Sequence, residues 1–151
     1  NGFNLLTGNA RAAHWGSNRA AASTTLAHGV AGLSNAALDT PWPKVERTKA
    51  GLAAWCASGS ADTAPLFALL RDERVAADDV LPATGVPRDW ERRLSAPFIV
   101  GDRYGTRCTT VLTIDRDGVV AFVERRFDAA GTATGDSAFA FRINHVRPQP
   151  A

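Results

Sequence analysis

Between Gly32 and Lys49 the sequence GLSNAALDTPWPKVERTK gathers the side chains best suited to chemistry: the Asn35 amide, the Asp39 carboxylate, the Trp42 indole and the Lys44 ammonium. Each has an architectural and a functional reading. Asn35 is a turn asparagine bonding its own backbone, or an amide donor held at a strand end. Asp39 and Thr40 offer helix caps. Trp42, locked between Pro41 and Pro43, is a core anchor or a flat ligand platform. Lys44 and Arg47 fall at a helix start, where they meet an anion or stand solvated. Far along the chain, the architectural reading of Arg107 is one half of an ion pair with Asp39 or Glu124.

Other chemistries find little support. His14, His28 and His145 share no metal-ligand spacing, so no metal site is assigned. Gly29–Gly32 is too short for a phosphate loop. Ser58-Gly59-Ser60 is a helix terminator rather than a nucleophile elbow. Cys56 and Cys108 have no paired spacing. Cys56 reads as a buried inert thiol on a helix, and Cys108 as a strand residue poorly placed for nucleophilic work. Two reduced thiols fit a reducing, cytoplasmic setting.

The net charge is +2 with acids and bases interspersed, which argues against a nucleic-acid partner. The Arg88, Arg92 and Arg93 cluster, mixed with Asp89 and Glu91, reads as a solvated helix face. No apolar run approaches the ~18–20 residues of a membrane span, and no secretory signal is visible. At 151 residues the chain makes at most a single domain with a real core. It has no methionine and opens on Phe3, Leu5 and Leu6 in strand-like sequence, as a fragment lacking its N-terminal part would. Its preference for Ala and Arg over Lys suggests a bacterial, GC-rich source.

The elements that must position these residues are readable in order. Gly2–Leu6 and Ala12–Ser17 form a hairpin through Thr7-Gly8-Asn9. Residues 17–27 are a loop, and His28–Asn35 is a short strand carrying Val30 and Leu33. A helix from Pro41 to about Ala57 places Val45, Leu52, Trp55 and Cys56 on one face. Asp62-Thr63 caps a second helix with Leu66, Leu69 and Leu70 as its stripe. Pro87–Leu94 is a third. Residues 106–115 and 119–127 make a hairpin turning at Asp117-Gly118, with both faces partly apolar, as in a sheet buried between two layers. Phe139, Phe141 and Ile143 alternate in a last strand. The sum is an α+β fold, helices layered on antiparallel sheet.

The run Ser34-Asn35, then Leu38-Asp39-Thr40-Pro41-Trp42-Pro43-Lys44-Val45, resembles the signature of the Transport-and-Golgi-organization family, also called the NRDE family. Tyr104-Gly105-Thr106-Arg107, Thr109-Thr110-Val111-Leu112 and Glu124-Arg125 resemble its second block. Asn1–Leu6 and Ser17-Asn18-Arg19 fit as well, all in order along the chain. The resemblance implies that residues 1–151 are the C-terminal portion of one family domain, whose Asn-Arg-Asp-Glu motif and N-terminal cysteine lie upstream. It implies an N-terminal-nucleophile-hydrolase-like αββα sandwich, here partial.

Within that fold, Asn35 after Leu33-Ser34 resembles the oxyanion-hole asparagine of cholylglycine hydrolases and penicillin V acylases, an amide worth ~3–4 kcal/mol there. Arg107 resembles the arginine those enzymes set beside the nucleophile, where it would favour thiolate. These two are the catalytic candidates; Asp39, Trp42 and Lys44, in the signature itself, are the ligand-binding ones. The resemblance further implies a binder or carrier in haem or acyl-lipid (acyl-CoA) homeostasis, with a small-molecule ligand. No cofactor is required, and haem is the candidate if one is used. The alternative is an amidohydrolase or thioesterase using an N-terminal cysteine, with this fragment inactive by itself.

Overall fold

A computed structural model describes residues 2–9 and 11–143. The chain runs β1 (Asn4–Gly8), β2 (Ala13–Ser17), β3 (Thr24–Thr25), α1 (Pro43–Ser58), α2 (Ala64–Leu70), a 3₁₀ turn (Asp78–Val80), α3 (Arg88–Leu94), β4 (Cys108–Ile114), β5 (Val119–Phe127) and β6 (Ala133–Arg142). The strands make two antiparallel sheets, β1-β2-β3 and β4-β5-β6. This is the α+β arrangement the pattern predicts. His145 and the tail expected to fray, residues 147–151, lie outside the described residues.

Helix α1 starts two residues later than expected. Trp42 precedes Pro43, and the proline ring disfavours helical geometry in the residue before it. Trp42 is accordingly extended (φ −71°, ψ 146°) and Pro43, not Pro41, opens the helix. Of the predicted face, Val45 is buried and Leu52 and Trp55 half-buried, whereas Cys56 is exposed, correcting its reading as a buried thiol. Cys108 is exposed too. At Gly51 a β-carbon would sit 2.5 Å from Leu69 Cδ1, so the missing side chain sets how closely α2 approaches α1.

Leu66 and Phe67 of α2 pack on Val111 of β4, with Leu52, Trp55, Leu70 and Val123 around them. Phe98, 1% exposed, is clasped edge-on by Phe127 at 4.8 Å and capped by the Arg71 guanidinium 3.8 Å from its ring centre. Asp72 pins this core to α1. Its carboxylate accepts from Arg47 at 3.2 Å and Arg74 at 2.8 Å, and its carbonyl accepts from the Phe98 amide at 2.9 Å.

Three further expectations are corrected. His28–Asn35 joins no sheet. Val30 and Leu33 are three apart, so in a strand they would face opposite ways, and no single apolar face could form. Among the described residues, the sheet β4-β5-β6 is covered on one face only. Thr109 and Val111 are buried against the helices, while the alternate residues Leu112, Ile114, Phe139 and Phe141 are 43–60% exposed. The arginine cluster of α3 is also less solvated than its composition suggests. Arg92 pairs with Asp78 at 2.7 Å and Asp89 at 2.8 Å, and Arg93 donates to the Val100 and Tyr104 carbonyls.

Candidate functional site

The signature run folds into a closed loop that leads into α1. At its base the Asp39 amide donates to the Gly32 carbonyl at 2.7 Å, and the Gly32 amide returns a bond to Asp39 Oδ1 at 2.8 Å. Asp39 sits in the left-handed region (φ 55°), which aspartate tolerates better than most residues. Lys49 of α1 donates to the same Oδ1 at 2.7 Å. The Lys49 hydrogen bond, and after it the Gly32 amide, hold the Asp39 carboxyl below its ordinary range, and Asp39 in turn raises the Lys49 amine. A β-carbon at Gly32 would lie 2.5 Å from Val45 Cγ1, so glycine lets the loop rest directly on α1.

Near the apex a second clamp operates. The Asn4 side-chain amide of β1 donates to the Ser34 and Ala36 carbonyls, both at 3.2 Å, and so grips the backbone on either side of Asn35. The buried Trp15 of β2 donates its indole N–H to Asn4 Oδ1 at 3.0 Å and fixes which way that amide faces. Asn35 itself is exposed, and its side chain makes no hydrogen bond among the described residues. It does not close a turn on its own backbone.

The Asn35 amide borders two cavities. The larger, about 730 Å³ and open to solvent, is walled by Phe3, Asn4, Trp15, Arg19, Leu33 and Asn35 among others. Arg19 there is exposed and forms no ion pair among the described residues. The smaller, about 190 Å³, lies between the start of α1 and α3, walled by Asn35, Trp42, Lys44, Val86, Glu91 and Leu94. The structure thus brings Asn35, Trp42 and Lys44 around one space. Lys44 donates to the Leu94 carbonyl at 2.8 Å, stands 5.7 Å from the Trp42 ring centre, and is lowered in proton affinity by burial. Glu91, 4% exposed, accepts at 2.6 Å from both the amide and the hydroxyl of Thr84, bonds that keep its carboxyl below the usual range.

The other two candidates stand apart from this pair of cavities. Asp39 is the loop's latch. Arg107 lines neither space; its guanidinium donates to the Gly101 and Asp102 carbonyls at 2.7 and 3.1 Å and, more weakly, to Asp128 at 3.5 Å. The ion pair considered for it does not form, since Asp39 pairs with Lys49 and Glu124 accepts from Thr110.

Sequence reasoning missed Asn4, Trp15 and Arg19. A polar Asn inside apolar NGFNLL was the one available signal for the first. Among the described residues there is no group of three or more His, Cys, Asp or Glu side chains able to hold a metal ion. Nor is any helix among them long and apolar enough to cross a membrane.

The family model for Transport and Golgi organisation 2 matches residues 1–129. The Transport and Golgi organization protein 2 homolog of Bos taurus is 34% identical over 141 residues, which is 83% of this chain and 50% of the relative. The chain therefore spans about half the length of that relative. With both signature blocks inside the matched region, the chain belongs to the Transport and Golgi organisation 2 family.

Proposed function

We propose that this chain contributes the ligand site of a small-molecule binder or carrier whose ligand is an anionic acyl compound of the acyl-CoA or fatty-acid class. The observation that carries the reading is the Asn35 amide, without a hydrogen bond among the described residues and held by the Asn4 clamp beside a cavity of about 730 Å³. Phe3, Trp15 and Leu33 give that cavity apolar wall, and Arg19, which forms no ion pair among the described residues, gives it a positive charge. Apolar walls with a few placed polar groups are what small-molecule sites have in common. Acyl compounds suit it better than haem, because its walls present no His, Cys, Met or Tyr for an iron among the described residues.

A second reading rests on the same amide. Asn35 would donate to the oxyanion of an amide or thioester under attack, with the nucleophile supplied from outside these 151 residues. The open apolar face of β4-β5-β6 supports a finer architecture in which a further sheet layer covers it, as an αββα sandwich requires.

The test is a titration with octanoate, octanoyl-CoA and haem, followed by tryptophan fluorescence and by hydrolysis. Saturable acyl binding, weakened about tenfold in both Asn35→Ala and Arg19→Ala, is the expected result. Binding of haem alone, or acyl binding indifferent to both substitutions, would sink the carrier reading. Turnover lost in Asn35→Ala would favour the hydrolase.

A further inference from the structure

The chain has two lysines, Lys44 and Lys49, five residues apart on one helix and in opposite surroundings. Lys49 faces Asp39 at 2.7 Å and Glu46 at 3.9 Å. Lys44 makes no ion pair among the described residues. Lys44 is half-buried and is one of the residues lining the 190 Å³ cavity, whose walls include Trp42, Pro82, Val86 and Leu94. The charged group that shares this space, Glu91, is engaged by Thr84. The bond from Lys44 to the Leu94 carbonyl uses one N–H and leaves a neutral amine its lone pair.

We propose that Lys44 is a carbonyl-reactive amine, and that its cavity admits small aliphatic aldehydes which condense with Nζ to an imine. The lone pair attacks the carbonyl carbon, and the oxygen takes up the proton the nitrogen loses, giving a carbinolamine. Loss of water then leaves the C=N bond, so one amine and one aldehyde yield one imine and one water, with no oxidant or reductant. A desolvated lysine in an apolar pocket is activated for this chemistry because more of it is unprotonated at neutral pH. Burial lowers the Lys44 amine in this way, while the hydrogen bond to Asp39 raises Lys49. At about 190 Å³ the space is below the ~300–1,000 Å³ of sites for drug-sized ligands, which restricts it to short chains. The proposal stands independently of the acyl-binding reading, which concerns the larger cavity.

The experiment incubates the 151-residue chain with propanal and cyanoborohydride at pH 7.5. Cleavage after Arg47 then separates the two lysines for peptide mass spectrometry. Lys44 is expected to become alkylated at least tenfold faster than Lys49. Val86→Trp, at a position 41% exposed and so tolerant of a larger side chain, should slow Lys44 several-fold and leave Lys49 unchanged. Equal or faster labelling of Lys49 would overturn the proposal, as would a Lys44 rate indifferent to Val86→Trp.

Discussion

The indole N–H of Trp15 points at Asn4 Oδ1 from 3.0 Å, and this bond decides the function of the amide it touches. With its oxygen occupied, the Asn4 side chain can turn only its NH₂ toward the loop, where it meets the Ser34 and Ala36 carbonyls. A buried ring in one sheet thereby sets the backbone on both sides of Asn35. The position of the candidate donor is a property of β1 and β2 as much as of its own loop.

Asn4→Ala should therefore impair ligand binding without touching the ligand's polar contacts. Three hydrogen bonds at about 1 kcal/mol each, discounted for exposure, suggest a loss of about 1–2 kcal/mol in stability. At ~2–4 °C per kcal/mol for a chain of this size, the melting temperature falls by several degrees. Trp15→Phe keeps the ring but removes the N–H, so it should weaken octanoyl-CoA binding in the same direction. Because the residues act in series, the double variant should cost less than the sum of the two, which a double-mutant cycle measures.

At Asp39 the backbone geometry and the carboxylate make separate demands. Asp39→Asn keeps a residue that accepts φ 55° and can still take the Gly32 amide, but gives up the charge facing Lys49. Asp39→Ala loses the side-chain acceptor as well, and Asp39→Val adds β-branched strain in the left-handed region. Thermal stability should fall in the order wild type, Asn, Ala, Val. A Val variant as stable as Asn would show that the loop does not rely on this latch.

Most of the fold was legible because periodicity reports burial. Leu66, Leu69 and Leu70 marked α2, and the alternation along 108–114 marked β4. Periodicity failed where one face is left open: Leu112 and Ile114 look like core residues in sequence, and they are exposed because no layer among the described residues covers them. The start of α1 was misplaced because Pro41 and Pro43 both satisfy the rule for a first helical residue, and only the restriction on Trp42 separates them. Within the site, Asn35 was named with Arg107, and Trp42 and Lys44 with Asp39; the structure sets Asn35, Trp42 and Lys44 around one cavity and leaves Arg107 and Asp39 outside it. Asn4, Trp15 and Arg19 come from strands and a turn distant in sequence, and no local pattern tied them to that loop.

Asp72 makes stability depend on acid. Arg74, through a side-chain hydrogen bond, and then its amide and the charge of Arg47 lower the Asp72 carboxyl from 3.8 to about 2. A carboxyl lowered in the folded state contributes stability that is complete above its unfolded value of ~3.9 and disappears as pH falls through its folded value. The side chain is only 11% exposed, so the shift converts to about 2 kcal/mol at neutral pH. Urea midpoints of wild type and Asp72→Asn should differ most above pH 5 and converge between pH 4 and 2. A difference that stays constant over that window would show that the ion pairs are not its source.

The open sheet face separates burial from mere hydrophobicity. Phe98 and Phe139 are the same residue type, yet one is 1% and the other 60% exposed. Phe98→Ala should cost about 3–5 kcal/mol, since it empties the space between Phe127 and Arg71. Phe139→Ser and Leu112→Ser should each change stability by no more than about 0.5 kcal/mol. Because they shrink an apolar patch, both should lower binding of a hydrophobic dye and concentration-dependent self-association. A large loss of stability in Phe139→Ser would mean that something already covers this face in solution. Size-exclusion chromatography across a hundredfold concentration range would then show whether the cover is a second copy of the chain.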